Sequence, residues 1–188
     1  MHGIPLAIEH AGVLIRTYLS PDQFLQSYRA RYRWLLTEFP DRGVLAYDKD
    51  RSIITVFDLL FKKVKEKYPE AGALLIFVAI LGIWKIPTTF LNQYKGLLSD
   101  IQSEDDQESQ QLVQVLSTPE ALQLALSQLA NLCLVKRDSV RGHPSKSIMI
   151  HRAIRDWSLQ TSVTGKQIWL LQAARGLVAA TLCYDQQK

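Results

Sequence analysis

The chain is poor in cysteine and in long apolar runs, and each shortage excludes something. Two cysteines, Cys133 and Cys183, in 188 residues make no disulfide framework. Neither stands in a CxxC or Cys/His spacing, so no zinc site is predicted. Both lie within apolar stretches and read as small buried hydrophobes of a reducing compartment. The N-terminus, Met-His-Gly-Ile-Pro-Leu-Ala, lacks the basic region of a secretory signal. The most apolar run, Ala71 to Trp84, is shorter than the roughly 18–20 residues of a membrane span and is closed by Lys85 and Pro87. A helix apolar on all sides is a buried core helix, and no membrane partner is expected.

Catalytic signatures are absent as well. No Gly-x-x-x-x-Gly-Lys-Ser/Thr occurs, so the chain has no backbone cradle for triphosphate oxygens. No Gly-x-Ser-x-Gly elbow and no His-Glu-x-x-His pair occurs. The acidic cluster Glu104, Asp105, Asp106 and Glu108 lacks the glycine turn of a calcium loop and reads as a solvated segment. No set of residues supplies nucleophile, base and orienting group. No catalytic residue and no metal ligand is therefore predicted, and the chain is expected not to be an enzyme.

What is present is an ordinary globular composition, 47% hydrophobic and 21% charged, which rules out wholesale disorder. The net charge of +4 is spread out. Arg29, Arg31 and Arg33, and Lys62, Lys63, Lys65 and Lys67, sit inside helical patterns and read as solvated faces, so no nucleic-acid partner is expected.

The periodicity predicts a mainly α protein. A first helix spans about 4–19, with Leu6, Ile8, Val13, Ile15 and Tyr18 as its apolar face and Pro5 in its first turn. Ser20, Pro21 and Gln23 form a capping box that opens a second helix carrying Phe24, Tyr28, Tyr32 and Leu35. Pro40 to Gly43 begins a linker. Ser52 is expected to cap a third helix running to about Lys67, with Val56, Leu59, Leu60 and Val64 inward. Pro69 opens the apolar fourth helix and Gly82 stops it. Pro87 is expected to start a short fifth helix with Phe90, Leu91 and Tyr94. The acidic, glutamine-rich stretch from Ser99 to Gln111 is expected to be a loop or a frayed helix. Thr118 caps another helix with Leu122, Leu126 and Leu129 inward. Two short strands within 132–140 and 146–150 then predict a β-hairpin, followed by a helix from His151 with Ile154, Trp157 and Leu159 on one face. Trp34, Trp84 and Trp169 read, like Trp157, as core. A last helix is expected over 166–183. Three helices followed by a two-stranded wing is the winged-helix plan.

Two motifs carry a family resemblance. Gly3-Ile4-Pro5-Leu6-Ala7-Ile8-Glu9-His10-Ala11-Gly12 resembles the Gly-Leu-Pro-Leu-Ala motif of the STAND signal-transduction ATPases, which include the NB-ARC switches and the NOD-like receptors, and is similar to fungal members in particular. Tyr28, Tyr32, Tyr47 and Ser52-Ile53-Ile54-Thr55 continue the likeness. Ser147-Ile148-Met149-Ile150-His151-Arg152 resembles the Met-His-Asp motif, with Ile150 in place of methionine and Arg152 in place of aspartate. Only His151 carries over; an aspartate role does not. The resemblance covers about 3–157.

The resemblance implies a helical hairpin (1–40, the end of a helical ARC1-like domain), a winged-helix ARC2-like domain (50–160), and the start of a C-terminal helical, tetratricopeptide-type sensor (163–188). It implies a nucleotide-binding lid made of Pro5, Leu6 and His151. Pro5 would contact the adenine, and His151 the β-phosphate of ADP. ADP or ATP would bind only with a P-loop nucleotide-binding domain, in cis or in trans. The implied role is an autoinhibitory regulator in cytoplasmic, innate-immunity-like signalling. His2, His10 and His143 have no such motif behind them. Two other readings stay open. One is a winged-helix DNA-binding regulator, with Pro87 to about Leu98 as its recognition helix. The other is a non-functional truncated fragment, suggested by the first motif lying so near Met1.

Overall fold

The computed structural model describes residues 3–38, 48–81, 85–93, 107–138 and 147–162. Within these the chain is mainly helical, with one small three-stranded antiparallel sheet. The elements are α1 (Gly3–Thr17), α2 (Pro21–Glu38), α3 (Asp48–Lys67), α4 (Pro69–Leu81), β1 (Lys85–Pro87), α5 (Thr88–Gln93), α6 (Gln107–Ser117), α7 (Pro119–Asn131), β2 (Val135–Asp138), β3 (Ser147–Ile150) and α8 (Arg152–Ser162). The chain divides into two compact units, Met1–Lys67 and Tyr68–Lys188. Helix α3 thus groups with α1 and α2, whereas the family resemblance assigns most of it to the domain starting at 50. The last predicted helix, the tryptophans at 84 and 169 and the side chain of Trp34 lie outside the described residues, as do Cys183, Gly82 and the acidic residues 104–106.

In the first unit α1 and α2 pack on α3. The buried stripe of α1 is His10, Val13 and Leu14, at i, i+3 and i+4. Ile8, expected on this face, is 66% exposed. Two residues from His10 along a helix is about 200° of rotation, so Ile8 points the opposite way. Ser20 and Gln23 cap α2 reciprocally: Ser20 N–H donates to Gln23 Oε1 at 2.9 Å, and Gln23 N–H donates to Ser20 Oγ at 3.3 Å. Phe24, Tyr28 and Tyr32 follow as an i, i+4 ladder, with ring centroids 5.8 and 5.9 Å apart. Helix α3 starts at Asp48, ahead of the expected cap at Ser52. Its buried residues are Ile53, Thr55, Val56, Phe57, Leu60 and Val64, with Leu59 half-buried.

The second unit is built around α4, whose residues Ala71 to Ala79 and Leu81 are all buried. Helices α6, α7 and α8 pack against it. Thr118 caps α7 as predicted, its Oγ accepting from Ala121 N–H at 3.2 Å. Of the loop or frayed helix expected over 99–111, residues 107–111 are helical and belong to α6, where Ser109, Leu112 and Leu116 form a buried stripe at helical spacing. The predicted hairpin strands are β2 and β3, and β1 is an addition. It pairs with the far edge of β3, giving the order β1-β3-β2. Pro87 therefore ends a strand instead of starting a helix. An edge strand tolerates a proline that has no N–H to donate. Ile86, Ile148, Ile150 and Val135 form the buried face of the sheet. Among the described residues no helix is long and apolar enough to cross a membrane.

Candidate functional site

The three residues expected to form a nucleotide lid fall in two units. Pro5 and Leu6 lie in the first turns of α1, in the first unit, and His151 directly precedes α8, in the second. The side chain of Pro5 lies outside the described residues. Leu6 is half-buried, and its carbonyl oxygen accepts a hydrogen bond from His10 Nδ1 at 2.8 Å.

His151 is exposed at the junction between β3 and α8. Its carbonyl accepts from Ile154 N–H at 3.0 Å and from Arg155 N–H at 3.1 Å, which starts the helix. Its ring Nδ1 accepts from Ala153 N–H at 3.1 Å. The imidazole is thus an N-cap and satisfies one of the donors a helix start leaves over. A ring nitrogen that accepts carries no proton, so in the neutral imidazole the proton sits on Nε2. Ile150, where the family motif has methionine, is 2% exposed and pairs with Val135. An apolar side chain suffices there. Arg152, where the motif has aspartate, has an 80% exposed side chain, and its Nε lies 3.3 Å from Asp156. Arg155 also reaches Asp156, at 3.3 Å. The first turn of α8 contains no acid. The junction therefore offers an N–H donor at a helix start, beside two guanidinium groups whose charge Asp156 partly offsets.

Two residues carry more of the structure than the motifs indicate. His10 is fully buried, and its ring meets Phe57 edge to face, with centroids 4.9 Å apart. A polar residue in step with Val13 and Leu14 is the sequence signal for it. Arg137 lies on the inner face of the sheet, opposite Ile148. It donates to Ser127 Oγ at 2.9 Å and to Gln123 Oε1, fastening β2 to α7. Its Nε is buried and has no hydrogen-bond partner among the described residues. Strand alternation with Val135 already places this arginine inward.

An open groove of about 620 Å³ lies on the first unit, lined by residues of α2 and α3 that include Arg31, Asp58, Phe61, Lys62 and Lys65. Arg31 and Asp58 pair there at 2.6 Å. Neither Leu6 nor His10 lines it. Among the described residues no cluster of histidine, cysteine and acidic side chains is placed to hold a metal ion. Compared with protein-family models, with characterised proteins and with solved structures, the chain matches none.

Proposed function

We propose that this chain is the regulatory, nucleotide-sensing part of a STAND/NB-ARC-type switch, with a lid turn at Pro5 and Leu6 and a winged helix ending in His151. The observation that carries the reading is the state of His151. Its Nδ1 is taken by its own helix, and on an exposed residue that leaves the Nε2–H to an acceptor outside the helix. A phosphate oxygen beside the α8 N-terminus would accept that proton donor well. The winged-helix reading draws support from α4, α6 and α7, which pack on one another and are followed by the β2–β3 hairpin. In this reading the chain performs no catalysis of its own. ADP or ATP binds when a P-loop domain joins it, and exchange of one for the other biases the switch.

The DNA-binding alternative has less behind it. The helix that leads into the hairpin is α7, not the stretch from Pro87, and α7 contains no lysine or arginine. The test is titration of labelled ADP with the chain joined to a STAND-type P-loop domain. His151→Ala is expected to weaken ADP by about tenfold, the worth of one charge-assisted hydrogen bond. Unchanged ADP affinity on replacing both Pro5 and His151 would sink the reading. Tight duplex-DNA binding that weakens steeply with salt would favour the alternative.

A further inference from the structure

The buried stripe of α1 runs through Val13 and Leu14 and reaches one turn further back to His10. An apolar side chain would fill that site with no polar group to satisfy. A buried imidazole is costly unless its nitrogens find partners. Nδ1 finds the Leu6 carbonyl at 2.8 Å, and since a carbonyl only accepts, Nδ1 carries the proton. The same carbonyl takes the His10 backbone N–H in a regular helix, so both its lone pairs are engaged. The other side of the contact is Phe57 of α3, 1% exposed and perpendicular to the imidazole at 88°. A continuous path therefore runs from the Leu6 carbonyl through the His10 ring to the core of α3. The first turn of a helix is its weakest, because its N–H groups have no acceptor inside the helix. Pro5 brings no N–H at all. The ring of His10 gives this turn an attachment that the backbone cannot.

We propose that His10 is a positioning residue: it fixes the Pro5–Leu6 turn to α3, so that a nucleotide base held at that turn is registered by α3. The sensing half of this statement rests on the nucleotide reading above; the tether does not.

The test compares the full chain as wild type, His10→Leu and His10→Gln. Leucine fills the site without a donor, and glutamine restores an N–H of similar reach. Amide exchange is followed by NMR at Ala7 to His10 and, in α3, at Leu60 and Val64. His10→Leu is expected to speed exchange about tenfold at Ala7 to His10 and to change α3 by less than about twofold; His10→Gln recovers most of the loss. Unchanged exchange at Ala7 to His10 in His10→Leu overturns the tether. Equal loss of protection at all these sites in both variants also overturns it, because His10 is then only core filling. The spectra are repeated with ADP and a P-loop nucleotide-binding domain added. Protection gained at both the first turn and α3 in wild type, and at the first turn alone in His10→Leu, supports transmission. Protection confined to the first turn in wild type overturns transmission. No change in wild type removes the nucleotide reading, while the variants without ADP still decide the tether.

Discussion

Helices α3 and α4 follow one another in the chain and solve different packing problems. Helix α3 packs on α1 and α2 and turns Lys62, Lys65, Glu66 and Lys67 to solvent. Helix α4 is packed by α6, α7 and α8 and keeps almost no polar residue. The number of neighbours sets the pattern. A helix covered on one side needs one apolar stripe, and a helix covered on three needs apolar residues all round. Both units still bury polar groups. The first holds His10 and Thr55, with a charge pair, Arg31 with Asp58, beside them, and the second holds Thr88, Ser109, Ser147 and Ser158.

The largest effect should come from cutting into α4. Phe77 is fully buried, and Phe77→Ala is expected to cost about 3–5 kcal/mol through lost transfer energy and the cavity left behind. Phe61 on α3 is half-buried, with the Lys65 ammonium 5.3 Å from its ring centre. Phe61→Ala is expected to cost only about 1–2 kcal/mol. Urea denaturation followed by circular dichroism measures both. Equal costs would mean that neighbour number does not separate the two helices.

A smaller effect concerns how helices end. After α1, Tyr18 and Leu19 N–H both reach the Leu14 carbonyl, at 2.9 and 3.0 Å, and the capping box follows. After α7 the chain reverses through Cys133, whose φ is 58°. Cys133 N–H donates to Ala130 O at 3.0 Å and Leu134 N–H to Leu129 O at 2.9 Å, which is the Schellman pattern. The position wants glycine, and cysteine holds it at a cost. Cys133→Gly is expected to raise stability by about 0.5–1 kcal/mol, and Cys133→Val to lower it by about 1–2 kcal/mol. Thermal denaturation of both decides it. A loss of stability with glycine would show that the cysteine side chain outweighs the backbone preference.

Most helices were legible because their signals are local: the Ser20 box, Thr118 with Pro119, and the leucines of α7. What escaped depended on distant partners. Strand β1 is too short to show alternation, and only its pairing with β3 defines it. Cys133 reads as a small hydrophobe in its apolar stretch, yet it is half-exposed, because the turn sets its position. His10 falls in step with Val13 and Leu14, but what it touches is known only once Phe57 of α3 meets it. The site divides similarly. The N-capping position of His151 follows from its place between strand and helix. The inward face of Arg137 follows from alternation with Val135, but its partners on α7 needed the fold.

The smallest effect separates a local charge pair from a long-range one. Glu66 lies below its ordinary pKa of 4.5, chiefly because the Lys63 ammonium donates to it, with Lys62 adding to the effect. Asp138 lies below its ordinary 3.8, chiefly because Lys85 donates to it at 2.5 Å, with the Ser147 hydroxyl helping. A carboxyl depressed in the folded state adds stability above its unfolded pKa and loses it as pH falls through the folded one. Both contributions are therefore present at neutral pH and fade in the acid range below those ordinary values. Both groups are solvent-exposed, so about 1 M salt should mute them. The difference is reach. Lys63 and Glu66 share one turn of α3, whereas Lys85 and Asp138 join the two outer strands across β3. NMR titration of Lys63→Met and Lys85→Met is expected to return each carboxyl most of the way to its ordinary pKa. Only Lys85→Met should also speed amide exchange at Ile86, since only that pair holds an edge strand in place. Equal exchange at Ile86 in wild type and Lys85→Met would reduce the long-range pair to the same surface ornament as the local one.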